Sequence, residues 1–179
     1  SMALTQSQIN ELKSQLSEQI KHLPPDKKKQ AEEQIESLSP EAMESMLLEQ
    51  QSQKHIFRMI IDGEIPSVKL SENDKAIAVL STKSISKGHT IIIPKSPIKD
   101  EKSLPKEAHI ISEQISKKLI SSLNAKSTEI ISEKAFGEII LNVIPIYDKP
   151  LNLKSERKDM PIEKLEDLKT SINVEKISK

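Results

Sequence analysis

Apolar residues recur every three or four positions through the first fifty residues, give way to short β-branched runs, and return to helical spacing in one long segment and at the end. Behind Thr5, whose hydroxyl suits a helix N-cap, Ile9, Leu12, Leu16, Ile20 and Leu23 share one helical face. Pro24-Pro25 closes that helix, because neither residue donates to a helical ladder. Asp26 is then expected to cap a second helix carrying Ala31, Ile35 and Leu38. Ser39-Pro40, a cap followed by proline at the first helical position, opens a third with Met43, Met46 and Leu47 on one side. Each stripe is narrow, so the three helices make only a marginal core and call for a further packing partner.

From residue 55 the pattern changes. HIFRMIID (55–62) predicts a short helix stopped by Gly63. Val68 to Leu70 and Ala76 to Leu80 read as strands separated by the turn Ser71-Glu72-Asn73-Asp74. Gly88 launches a third run, His89 to Pro94. Residues 106–123 carry Ala108, Ile111, Ile115, Leu119 and Leu123 at helical spacing and form the longest predicted helix. Thr128 to Ser132 and Glu138 to Tyr147 complete the set as two more strands, divided by a few residues around Gly137. Three strands, a helix and two strands on short links imply an antiparallel sheet with a helix on one face, an α+β fold. After a polar stretch, Pro161 starts a short helix whose Ile162, Leu165, Leu168 and Ile172 can dock on the sheet domain. The expected organisation is a helical extension (1–53), a sheet domain (54–150) and a tail with a short helix (151–179).

Composition narrows the chemistry. Formal charge is balanced, with 27 basic and 27 acidic residues, which argues against a nucleic-acid coat protein. The extension is acidic, at −4, against +3 for the sheet domain and +1 for the tail. Without cysteine there are no disulfides, thiol nucleophiles or thiolate zinc sites. No apolar run is long enough for a membrane span and no signal peptide is visible, so a cytoplasmic protein is expected. Aromatics are confined to Phe57, Phe136 and Tyr147, leaving few platforms for stacking bases. Of the basic residues only Arg58 and Arg157 are arginines, so bidentate clamps on phosphate are scarce.

The ordered segments IFRMIIDGEIP (56–66), KAIAVL (75–80), SISKGHTIIIPK (84–95) and NVIPIY (142–147) resemble the histidine triad family of nucleotide-binding proteins. That resemblance covers about residues 55–150. It implies a five-stranded antiparallel sheet with a long helix, pairing into a homodimer, and a histidine that attacks an α-phosphorus to form a nucleotidyl intermediate. It also implies three histidines at alternate positions before Val-Ile-Pro, on one face of a strand. Counting back from Val143-Ile144-Pro145, those positions hold Glu138, Ile140 and Asn142, with Ile140 at the place of the nucleophile. An alkyl group cannot attack phosphorus, and a carboxylate at Glu138 repels the phosphate it would border. The glycine-rich phosphate loop that the resemblance leads one to expect is replaced by Ser132 to Gly137, which is shorter and has one glycine. The zinc pair of some family members would fall at His55 and Arg58, so no metal and no other cofactor is expected.

The reading that follows is a histidine-triad-like module without its triad, serving binding or assembly, with its helical extension contacting a protein partner. The alternative is a nucleotide binder, or a divergent nucleotide hydrolase or transferase using Glu138 as a base. Candidate ligand-binding residues in the old cleft are Glu138, Ile140, Asn142 and His89; His89 also reads as a structural histidine bonded to backbone. Glu129 and Glu133 lie on the neighbouring strand. Lys83, Lys87, Lys95 and Lys99 belong to a lysine-rich stretch suited to an acidic partner. Neither a membrane nor a specific nucleic acid is expected as partner.

Overall fold

A computed structural model of the chain describes residues 4–53 and 55–172. It divides into two compact units, residues 1–54 and 55–179.

In the first unit, α1 (Gln6–Ile20) begins with a capping box, in which the Thr5 hydroxyl accepts from the Gln8 N–H while the Gln8 side chain accepts from the Thr5 N–H. α2 (Pro25–Glu36) starts two residues earlier than expected: Pro24 takes the cap position, Pro25 the first helical position, and Asp26 lies in the first turn without acting as the cap. Whereas α1 already ends at Ile20 with Lys21 as its C-cap, which leaves Leu23 outside the helix and exposed, the proline pair opens the second helix. A proline at that position forfeits only an N–H that has no helical partner, and a carboxylate in the first turn suits the helix dipole. In α3 (Pro40–Gln53) the Ser39 hydroxyl accepts from the Ala42 N–H, as expected of a cap. Leu12, Ile35 and Met43 are buried, whereas Leu48 is 62% exposed.

The second unit opens with α4 (Ile56–Ile61), which turns off at Gly63, held at φ 77°. The strands are β1 (Lys69–Glu72), β2 (Ala76–Leu80), β3 (Lys83–Ser84), β4 (Thr90–Pro94), β5 (Ser127–Ala135), β6 (Glu138–Ile146) and β7 (Lys158–Asp159). α5 (Lys106–Leu123) lies between β4 and β5, and α6 (Ile162–Thr170) follows β7. Five strands form an antiparallel sheet in the order β1-β2-β4-β6-β5, while β3 and β7 pair separately. A bulge between Lys69 and Ser71 turns both Leu70 and Ser71 inward.

Alternation along β6 separates two cores. Ile139, Leu141 and Val143 join Ala76, Ala78, Leu80 and Ile92 beneath α5, whose Ala108, Ile111, Ile115, Leu119 and Leu123 are all buried. Leu165 and Ile172 from the tail enter the same cluster. On the opposite face Ile77, Val79, Ile93 and Ile140 pack with Phe57 of α4. β5 runs three residues past the expected Ser132, because Glu133, Lys134 and Ala135 continue the ladder with Ile140, Ile139 and Glu138.

Candidate functional site

β6 presents Glu138, Ile140 and Asn142 on the α4 side of the sheet, as strand alternation requires. All three are buried, at 4%, 3% and 0% exposure. Each meets a different kind of neighbour.

Glu138 is paired with Arg58 of α4. The guanidinium Nη2 donates to Glu138 Oε1 at 2.8 Å and Nε approaches Oε2 at 3.4 Å. Its remaining reach is also used: Nη1 donates to the Lys95 carbonyl at 2.5 Å and Nη2 to the Pro94 carbonyl at 2.7 Å. A planar guanidinium satisfies a carboxylate and two carbonyls from one position, which a lysine ammonium cannot do in the same geometry. The pair therefore ties α4 to the end of β4 and the start of β6.

Ile140 sits inside the apolar cluster with Phe57, Ile77, Val79 and Ile93, with Ile56, Ile60, Ile61, Ile91 and Ala135 half-buried around it. Burying such a side chain contributes on the order of 1.5–3 kcal/mol.

Asn142 lies in a hydrogen-bonded relay. His89 Nδ1 accepts the Ile85 N–H at 3.0 Å, which places the ring proton on Nε2, and Nε2 then donates to Asn142 Oδ1 at 2.8 Å. The Asn142 amide donates in turn to Glu133 Oε1 at 3.1 Å and toward the Ile131 carbonyl at 3.4 Å. Burial pulls the His89 pKa down to about 4, aided by the Arg157 charge and opposed by the Asn142 bond and Glu133. The imidazole is thus neutral with both nitrogens engaged, and its contact to the Ile85 backbone is the structural role its sequence position suggested. Glu133 belongs to this relay, whereas Glu129 is exposed.

Between β5 and β6 the chain turns within two residues. Ala135 pairs with Glu138, and Phe136 (φ 49°) and Gly137 (φ 79°) are both left-handed, the signature of a tight hairpin turn. The span from Ser132 to Gly137, read from sequence as a shortened loop, is mostly ladder. The Phe136 ring tilts against Phe57 with centroids 5.8 Å apart.

The candidate lysines do not form one free patch. Lys83 is ion-paired with Asp159, and Lys95 with Glu72 at 2.8 Å, both acids arriving from outside the lysine-rich stretch. Glu72 also meets Lys69, and the two ammonium groups hold its carboxyl down to about 2. Lys87 and Lys99 are exposed. His22, His55 and His109 are exposed as well, and among the described residues no group of three His, Asp or Glu side chains could hold a metal ion. No helix among them is long and apolar enough to cross a membrane.

Sequence reasoning missed the part played by Arg58. The signal was present: with only two arginines among 27 basic residues, one in an apolar helix marks a place where fork geometry is needed.

This fold matches known proteins. A HIT domain model covers residues 62–144. The Bacillus subtilis protein called Protein hit is 30% identical over 136 residues, 65% of this chain and 90% of that protein. An uncharacterized HIT-like protein of Mycoplasma genitalium is 30% identical over 103 residues, 52% of this chain and 73% of its own length. Among solved structures, a Hit-like protein from Bartonella henselae superimposes with a TM-score of 0.55 at 23% identity, over 65% of this chain and 91% of that one. The chain belongs to the HIT family.

Proposed function

We propose that this chain is a HIT-family module that has given up nucleotidyl transfer and serves binding or assembly. The observation that carries the reading is Ile140, a hydrocarbon packed against Phe57 at the position where the family resemblance requires a nucleophilic imidazole. Glu138 supports it, since its buried carboxylate is engaged by the Arg58 guanidinium. The two-residue turn at Phe136-Gly137 supports it again, because it offers no run of backbone N–H groups to surround a phosphate.

In this reading the helical extension supplies the protein contact, and the sheet edge pairs two copies into a cytoplasmic homodimer. β5 is an edge strand nine residues long, and pairing would satisfy its free backbone groups. Affinity capture with the full chain tests the partner contact: Leu48→Glu on the extension is expected to reduce partner recovery. Unchanged recovery removes the extension from the proposal. Light scattering is expected to give twice the 20.1 kDa chain mass.

A second reading, nucleotide binding without turnover, has its own support. Ile56, Ile60, Ile61 and Ile91 remain half-exposed around the cleft floor and could take a base and ribose. Calorimetry with adenosine, AMP, ATP and GTP separates the two readings, and heat that saturates at millimolar ligand favours the second.

A further inference from the structure

We propose that the groove between α6 and the β3–β4 loop is a binding site for a small amphipathic anion, an alkyl chain carrying a phosphate or carboxylate. The groove has a volume of about 580 Å³ and is bordered by Ser84 to Gly88 on one side and by Lys158, Met160 and α6 on the other. That volume is within the usual range for small-molecule sites, roughly 300–1,000 Å³. It shares none of its lining with the face holding Glu138, Ile140 and Asn142.

The loop wall is pinned from four directions. The Ser84 hydroxyl donates to the Ser86 carbonyl, and the Ser86 hydroxyl to the Pro145 carbonyl. The Ile85 N–H is held by His89, and the Tyr147 hydroxyl donates to the Lys87 carbonyl. Gly88, at φ 90°, lies so close to α5 that an added Cβ would stand 2.7 Å from Leu123 Cδ1. A wall fixed in this way need not be ordered by a ligand.

Apolar and charged groups are arranged as an amphiphile requires. Ile85, Met160 and Leu168 supply the hydrocarbon surface. Lys87, Lys158 and Lys164 supply three exposed ammonium groups, and among the described residues none of them is ion-paired. Asp167 is the single acid in the lining. Their excess of positive charge selects an anionic head, and the aliphatic surface selects an apolar body over a free inorganic ion.

Titration of the full chain with octyl phosphate, below its micelle concentration, tests this by calorimetry. One saturable site per chain is expected, with octyltrimethylammonium at least about tenfold weaker. The double charge reversal Lys158→Glu/Lys164→Glu is expected to weaken octyl phosphate about tenfold while leaving the thermal midpoint within a few degrees. Lys158→Arg/Lys164→Arg should restore binding, and AMP should not compete. Absence of saturation, equal affinity for the cation, indifference to the reversal, or displacement by AMP would each overturn the proposal. Binding confined to anionic vesicles, with none to the monomer, would do so too.

Discussion

The two faces of β6 are equally dry but are built from different materials. Toward α5, Ile139, Leu141 and Val143 join a large apolar cluster, and the helix above contributes buried residues at every turn. Toward α4, Glu138, Ile140 and Asn142 meet a guanidinium, an apolar cluster around Phe57 and an imidazole in turn. Where a HIT protein is expected to hold reactive groups, this chain has an ion pair, a packed alkyl group and a neutral relay. Each is satisfied internally, and no buried side-chain nitrogen or oxygen among the described residues lacks a partner.

The largest effect that would break this symmetry of dryness comes from Arg58. Arg58→Ala leaves the Glu138 carboxylate buried and unpaired, and should cost about 3–5 kcal/mol in urea unfolding. The double variant Arg58→Leu/Glu138→Leu should recover most of that loss, because both buried charges are then gone. Failure of the double variant to recover would mean that the pair contributes through the two carbonyl contacts instead.

Ile140→Ala and Leu141→Ala compare the faces directly. Both side chains are 3% exposed, so each truncation should cost about 2–5 kcal/mol, most of it transfer and cavity energy. An Ile140 variant with no measurable loss would mean that its face is an open cleft and not a core.

Titration distinguishes the faces next. His89 has a folded pKa of about 4 against an ordinary value of 6.5. The unfolded chain therefore binds more protons between these values, and stability rises with pH across them. The contribution is fully present above pH 6.5 and is lost as pH falls toward 4, amounting to about 3 kcal/mol. Chemical denaturation at pH 7.5, 6.5, 5.5 and 4.5 should show this slope, and His89→Gln should flatten it. Glu72 acts lower, between pH 4.5 and about 2, with stability lost as pH falls, so the upper window belongs to the histidine.

The smallest effect is at the hairpin. Phe136 holds a left-handed φ that an L-residue adopts at a cost of about 1–2 kcal/mol, offset by its ring contact with Phe57. Phe136→Gly should change stability by no more than about 1 kcal/mol in either direction.

Much of this architecture is legible in the residues. The α5 stripe and the docking of Leu165 and Ile172 follow from helical spacing, and the β2 and β4 runs from short, nearly continuous apolar stretches that are buried on both faces of the sheet. The two-residue pairing of Lys83-Ser84 with Lys158-Asp159 does not, since two residues carry no period and the partners are more than seventy positions apart. β5 extends past its expected end for a related reason: Glu133 and Lys134 look like turn residues, yet an edge strand tolerates charge on its half-buried and exposed positions. Within the site, the positions on β6 could be counted from sequence, but Arg58 meets Glu138 across eighty residues. The groove beside α6 is likewise a product of tertiary placement.

The central claim is that Ile140 stands where nucleotidyl chemistry would need an imidazole. Intact-mass spectrometry of the full chain, after incubation with an adenosine phosphoramidate and with a dinucleoside polyphosphate, tests it most directly. The account predicts an unmodified chain and no released nucleotide. A chain heavier by one nucleotidyl group, or steady release of AMP, would contradict it.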